Sequence, residues 1–157
     1  MIHQTFPLGT WFADIVQFGK MEAGKPLNYI LFVHANSRYS LLVSASLERS
    51  YEPDVFEYFD KSKSTEVWLR ALKAINKQYG PIKYLITDLE PAFSSGQSNL
   101  YYQQNNIQHT AINVTNDGHT RLSILDRVVR TLRDMIYNAK AYETNIDHLR
   151  EIMYVYN

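Results

Sequence analysis

The chain has 157 residues, of which 45% are hydrophobic, and its 16 basic and 16 acidic side chains give a formal net charge of zero. This length and composition predict one globular domain with a substantial core and argue against disorder. A neutral total lacks the basic excess typical of DNA-binding domains. The absence of cysteine excludes disulfides, thiolate metal sites and cysteine nucleophiles. No apolar run is long enough to cross a membrane and no signal peptide opens the chain, so we expect no membrane contact.

The first half of the chain predicts strands, because β-branched and aromatic residues are concentrated at 11–18, 28–35 and 38–46. Turn residues between the first two strands and a tight connection before the third indicate an antiparallel meander. The segment 47–63 is charged, aromatic and interrupted by proline, and it is compatible with either a short helix or a long loop.

Helices and strands alternate in the second half. Apolar residues at helical spacing predict a helix from Ser64 or Thr65 to about residue 79, where Gly80 and a proline end it. A buried strand at 82–87, a helix at 97–105 and a strand at 107–112 follow.

The polar segment 113–120 predicts a mobile loop, and the helix after it is apolar on two sides, which is typical of a helix packed between layers. A last amphipathic helix is expected at 142–154. The order β-β-β-α-β-α-β-α-α predicts an α/β fold with a five-stranded mixed sheet and helices on both faces, the plan of ribonuclease H-like domains.

Three acidic residues occupy unusual positions on this map. Asp14 lies within an apolar strand, where an uncompensated charge is costly. Asp88 follows a buried strand at its carboxyl end, and Asp126 lies one turn into the long helix. Each also has a structural explanation. Asp14 could pair with a lysine or arginine, Asp88 could cap the following turn, and Asp126 could pair with Arg130 one helical turn away.

The local sequences around these acids resemble the catalytic core of retroviral and retrotransposon integrases and of related viral and Maverick-type transposon integrases. The resemblance rests on four phrases in order, and it covers nearly the whole chain. The second acid comes as T-D-x-x-x-x-F, and the third begins a helix similar to I-V-E-R-F-N-R-T-L-R, about the usual interval after the second. The phrases here are WFADIVQF, VHANSRY, TDLEPAFSS and ILDRVVRTLR.

The resemblance implies that residues 1–157 form a single integrase catalytic core domain, excised from a longer protein. It implies that Asp14, Asp88 and Asp126 are both catalytic residues and ligands of two Mg²⁺ or Mn²⁺ ions. In that scheme the ions clamp the attacking and leaving oxygens of a phosphoryl displacement. The activity would be a nuclease and strand transferase that processes the 3′ ends of mobile-element or viral DNA and joins them to target DNA.

Further expectations follow from the same resemblance. Arg130 and Arg133 share a helical stripe with Asp126 and, with His119, would contact DNA. The core would form a homodimer or higher multimer, and it would act in the host nucleus, or in the cytoplasm if it comes from a prokaryotic element. His34 and His109, in contrast, are interpreted as ordinary strand residues, since neither has ligand spacing to another histidine.

Four departures from the family pattern keep two alternatives open. The third acid is Asp126 where glutamate is usual, the phrase LEPAF replaces the familiar residues after Asp88, and Val128 and Val129 stand where Phe-Asn is common. The longer interval between the first two acids indicates an insertion at 47–63. One alternative is therefore a catalytically degenerate, integrase-derived module for DNA binding or dimerisation. The other is a ribonuclease H proper.

Overall fold

The computed structural model describes residues 6–20, 26–44, 65–112, 119–138 and 153–157. These ranges contain five strands, three α-helices, a short 3₁₀ turn at Pro91–Ser94 and a helical segment at 153–156. The strands are β1 (Thr10–Lys20), β2 (Pro26–His34), β3 (Ser40–Ser44), β4 (Tyr84–Thr87) and β5 (Gln108–Ala111), and the helices are α1 (Thr65–Tyr79), α2 (Gly96–Gln104) and α3 (His119–Asn138).

The five strands form one sheet in the order β3-β2-β1-β4-β5. The β1–β2 and β2–β3 pairs are antiparallel, whereas β1–β4 and β4–β5 are parallel. A tight turn at 35–39 connects β2 to β3, whereas parallel neighbours need longer crossovers. The predicted five-stranded mixed sheet is confirmed, and β1 lies at its centre.

Alternation along β1 divides the core into two layers, because successive side chains of a strand point to opposite faces. Phe12 and Val16 belong to one cluster, here called the α3 face, and Trp11 and Ala13 belong to the other, here called the α1/α2 face. On the α3 face the buried helical residues are Ile124, Leu125, Val128 and Leu132. On the α1/α2 face, helix α1 contributes Val67, Trp68, Ala71, Leu72 and Ile75. Helices therefore cover both faces, as expected.

Several boundaries differ from the sequence-based expectation by one or two residues, and two of these differences are informative. Strand β3 begins at Ser40 and not at Arg38, because Arg38 has a φ of 65° and closes the turn by donating its N–H to the carbonyl of His34. Helix α3 begins at His119, so the expected loop at 113–120 ends at least two residues earlier. Its residues 113–118, the segment 47–63 and residues 142–152 of the last expected helix lie outside the described residues. Residues 153–156 are helical.

Among the helices that the structure describes, none combines the length and apolar character that a membrane span requires.

Candidate functional site

Strand register brings Asp14 and Asp88 to the same place. Phe12 of β1 is paired with Ile86 of β4 in a parallel ladder, and both side chains lie on the α3 face. Asp14 follows Phe12 by two residues and so shares its face of β1, and Asp88 comes directly after the end of β4 at Thr87. The two carboxyl groups are therefore expected side by side beneath α3, and the structure gives them a side-chain hydrogen bond.

The surroundings of Asp14 oppose its ionisation. Burial, followed by the negative charge of Asp88, raises the pKa of Asp14 from 3.8 to about 7. A hydrogen bond from the backbone of Ile15 opposes this rise, whereas the hydrogen bond with Asp88 and the charge of Asp126 add to it. A partnering lysine or arginine would lower the pKa. The direction of the shift thus argues against the structural explanation of Asp14 as half of an ion pair.

Asp88 is held in a turn directly after β4. Its Oδ1 accepts a hydrogen bond from the backbone N–H of Glu90 at 3.1 Å, and the carbonyl of Glu90 accepts one from Phe93 at 3.0 Å. The capping role considered for Asp88 is therefore confirmed. It does not exclude a role in the site, since the same carboxyl group also contacts Asp14.

The backbone of Asp88 has a second restraint that the sequence did not indicate. Thr87 Oγ1 donates a hydrogen bond to the Asp88 carbonyl oxygen at 2.9 Å, and it lies 2.7 Å from His109 Nε2. His109 was interpreted as an ordinary strand residue. Only the β4–β5 register, which pairs Leu85 with His109, brings its ring beside Thr87, and spacing along the chain does not contain that information.

Asp126 lies on α3, close enough for its charge to act on Asp14. Its neighbour Leu125 is buried against the sheet, whereas Asp126 itself is exposed, and its charge contributes to the raised pKa of Asp14. Glu66 and Arg70 form an ion pair on α1, and among the described residues no such pair joins Asp126 to Arg130. The helical ion pair considered as an alternative for Asp126 is therefore not formed.

The three acids are unequal in this geometry. Asp14 and Asp88 are in contact, while Asp126 acts on Asp14 through its charge. Within the described ranges, no group of three or more histidine, aspartate or glutamate side chains is close enough to hold a metal ion. Mg²⁺ commonly takes only one or two carboxylates and retains water. The Asp14–Asp88 pair, with hard oxygen donors and uncompensated negative charge, therefore fits a divalent cation.

The residues expected to contact DNA lie on α3. Arg130 and Arg133 are both exposed, on the helix that carries Asp126. His119 is the first residue of α3 and does not belong to a loop, so its expected position is corrected to the start of the helix. Arginine suits phosphate recognition because its planar guanidinium donates paired hydrogen bonds.

Comparison with known proteins gives matches among solved structures alone. No family model matches the chain, and no curated protein matches it. A chain of the simian T-cell lymphotropic virus intasome in complex with PP2A regulatory subunit B56 gamma superposes with a TM-score of 0.73 at 15% identity, covering 98% of this chain and 50% of that one. The HTLV-2 integrase catalytic core domain with magnesium, in its dimeric form, gives 0.68 at 13% identity, covering 99% and 88%.

The BIV integrase catalytic core domain gives a TM-score of 0.64 at 12% identity and covers 92% of this chain and 80% of its own length. The chain has the fold of a retroviral integrase catalytic core. This confirms the expected ribonuclease H-like fold. The chain spans half the length of the intasome protein that it matches.

Proposed function

We propose that this chain is the metal-dependent catalytic core of an integrase, which processes the 3′ ends of mobile-element or viral DNA and joins them to target DNA. The observation that carries the proposal is the contact between Asp14 and Asp88 beneath α3, with the pKa of Asp14 raised to about 7 by burial and by the Asp88 charge. Such unfavourable proximity of acids in a folded protein is typical of functional sites. The integrase-like fold supports the same conclusion.

Asp14 and Asp88 would hold Mg²⁺ or Mn²⁺, with Asp126 completing the set for a second ion. Bound divalent ions would supply Lewis-acid stabilisation of the phosphoryl group and activation of the attacking oxygen. The HTLV-2 integrase core whose fold this chain shares was solved with magnesium. Cation binding would also offset the repulsion between Asp14 and Asp88 and would therefore lower the raised pKa of Asp14.

The chain's own residues would prepare and orient the site. Asp14 must lose its proton before it can act as a ligand, so metal binding should release a proton near neutral pH. The backbone N–H of Glu90 holds the Asp88 carboxylate in one orientation. Burial of Leu125 fixes the rotation of α3 about its axis, and this rotation determines the direction in which the neighbouring Asp126 projects from the helix.

DNA would be bound along α3. Arg130 and Arg133 would contact phosphates beside the acids, and His119 would contribute at the helix start. Such contacts position the substrate without reading its sequence. By analogy with the dimeric and trimeric forms described for the HTLV-2 core, we propose a homodimer or higher multimer. The site of action would be the nucleus of a eukaryotic host, or the cytoplasm for a prokaryotic element.

The decisive experiment combines metal-dependent melting with a joining assay. MnCl₂ or MgCl₂ should raise the melting temperature of the native chain at pH 8, and Asp14→Asn should abolish that rise. On α3, Asp126→Asn should reduce Mn²⁺-dependent cleavage and joining of a branched DNA substrate, whereas Asp134→Asn, an exposed acid on the same helix, should not. Equal behaviour of the two α3 variants would contradict a role for Asp126.

A second candidate is a degenerate integrase-derived module that binds DNA or dimerises without catalysis. Two observations favour it. The side chain of Asp126 is one methylene shorter than the usual glutamate, and among the described residues Asp126 does not join Asp14 and Asp88 in a three-residue group. That module would show DNA binding but no melting response to Mn²⁺. Asp126→Glu separates the two, because an active core with marginal geometry should gain cleavage from the longer side chain.

A further inference from the structure

A polar chain of hydrogen bonds lies behind Asp88, on the face of the sheet opposite the acids. Thr87 is fully buried and shares the α1/α2 side of β4 with Leu85, which pairs with His109 of β5. His109 Nε2 lies 2.7 Å from Thr87 Oγ1, and Thr87 Oγ1 donates to the Asp88 carbonyl oxygen at 2.9 Å. His109 and Thr87, on the α1/α2 face, are thus connected to Asp88, whose carboxyl group lies on the α3 face.

The direction of these bonds follows from counting protons. A threonine hydroxyl has one proton, and here it is donated to the carbonyl of Asp88. Thr87 Oγ1 can therefore only accept from His109, so the imidazole must carry its proton on Nε2. The ring of Tyr102 packs against that of His109, with centroids 4.7 Å apart, and fixes its plane. Burial lowers the pKa of His109, which favours the neutral ring with a single N–H.

We propose that His109 is a positioning residue for Asp88, acting through Thr87 to fix the peptide that follows β4. Asp88 is then restrained twice, at its carbonyl by Thr87 and at its carboxylate by the N–H of Glu90. Outer hydrogen-bond partners generally orient metal ligands in this way. A ligand that is already oriented loses less conformational freedom when it binds a cation. The effect on metal binding rests on the proposed function, whereas the hydrogen-bond chain itself does not.

The first test needs no metal. Long-range ¹⁵N–¹H correlation NMR of the native chain should show His109 neutral and protonated on Nε2. His109→Leu should shift the carbonyl carbon of Asp88 and the amide of Glu90, and His109→Gln, which can still donate to Thr87, should restore both. A proton on Nδ1, or unchanged signals in His109→Leu, would overturn the inference.

The second test measures Mn²⁺ affinity by calorimetry at pH 8. His109→Leu and Thr87→Val should each weaken binding by about tenfold, the lower end for loss of an outer partner of a metal ligand. His109→Gln and Thr87→Ser should remain within about threefold of the native value, and the double variant should be no weaker than either single one, because both break the same chain. Thr110→Val, the same change at an exposed β5 residue, is the matched control.

The two tests separate the possible failures. Native protein that does not bind Mn²⁺ contradicts the proposed function, and the positioning inference is then decided by the NMR result alone. Native protein that binds Mn²⁺ with equal affinity in His109→Leu and Thr110→Val contradicts the positioning role and leaves the proposed function standing. Melting temperatures without metal show whether a variant has lost its fold. If His109→Leu does not fold, His109→Gln is compared with His109→Asn, because the shorter amide of asparagine cannot reach Thr87.

Discussion

The two faces of the sheet differ in how well their buried polar groups are accommodated, although both are formed by the same strands. The core of the α1/α2 face contains five aromatic side chains, and the polar atoms of Trp68 and Tyr102 have hydrogen-bond partners. Trp68 stacks on Phe32 with centroids 5.5 Å apart and meets the ring of Phe93 edge-on at 4.4 Å. Trp68 Nε1 donates to the Tyr102 hydroxyl at 2.9 Å, and that hydroxyl donates to the carbonyl of Phe93 at 2.6 Å.

The α3 face is largely aliphatic and contains a buried carboxyl group whose ionisation is disfavoured. Asp14 follows Ala13 directly, yet its carboxyl group lies on the other face, where burial and Asp88 disfavour its ionised form. Packing on the α1/α2 face therefore stabilises the fold, whereas the buried Asp14 on the α3 face destabilises it when ionised. Local conflict of this kind is expected where a protein functions, with well-packed regions elsewhere offsetting its cost. The following predictions test that division of labour.

The largest effect is expected from truncating the centre of the α1/α2 face. Trp68 is fully buried, so Trp68→Ala should lower the free energy of unfolding by about 3–5 kcal/mol through lost contacts and a cavity. Urea denaturation followed by circular dichroism measures the loss, and Trp68→Phe should lose clearly less. A loss below about 1 kcal/mol for Trp68→Ala would show that this face does not dominate stability.

Removing the charge of Asp14 should raise the free energy of unfolding, in contrast to Trp68→Ala, which lowers it. The folded state binds the Asp14 proton more tightly than the unfolded chain, so stability from this group is present below about pH 4 and is lost as the pH rises through about 7. The shift bounds the effect at about 4 kcal/mol. Asp14→Asn should therefore stabilise the metal-free protein at pH 8 and change little at pH 4.

Urea titrations at both pH values measure this difference, with Asp134→Asn as the control on the exposed side of α3. If Asp14→Asn destabilised the protein equally at pH 4 and pH 8, the amide would be failing to fit and the charge would be irrelevant. Added Mn²⁺ should reverse the order at pH 8, because native Asp14 then gains a cation that asparagine cannot hold as well.

The fold and the acid positions were predictable from the sequence to different degrees. Strand periodicity and turn residues define β1, β2 and β4, and the family phrases select Asp14 and Asp88. Their contact depends on the β1–β4 register, which pairs Phe12 with Ile86 and follows from packing the whole sheet. Once that register is known, strand alternation places Asp14 on the α3 face, while the position of the Asp88 side chain also depends on the turn that follows β4.

The remaining features depend on tertiary structure that local patterns do not encode. Arg38 adopts a positive φ that only the closure of its turn dictates, so its interpretation as a strand residue was wrong. The early start of α3 at His119 extends a helix into polar residues with weak propensity. The contact between His109 and Thr87 joins two strands separated along the chain by a helix, and no spacing rule connects them.

A smaller loss is expected from the polar link of the α1/α2 face. Tyr102→Phe removes the acceptor of Trp68 Nε1 and the donor to Phe93, leaving two buried polar groups without partners. The cost should be about 1–2 kcal/mol, measured by urea denaturation. Burial raises the pKa of Tyr102 to about 12, so the loss should be independent of pH between 5 and about 9. A neutral outcome would mean that water replaces the hydroxyl.

The smallest effect should come from a carboxylate on the outer surface of α1. Glu66 and Arg70 approach to 3.9 Å, with 76% and 58% of their side chains exposed. Glu66→Gln makes the same chemical change as Asp14→Asn, yet an exposed pair contributes little because water and salt screen it. We expect a change of less than about 0.5 kcal/mol that disappears in 0.5 M NaCl. If Glu66→Gln matched Asp14→Asn in size and sign, net charge and not burial would explain the Asp14 effect, and the contrast between the faces would fail.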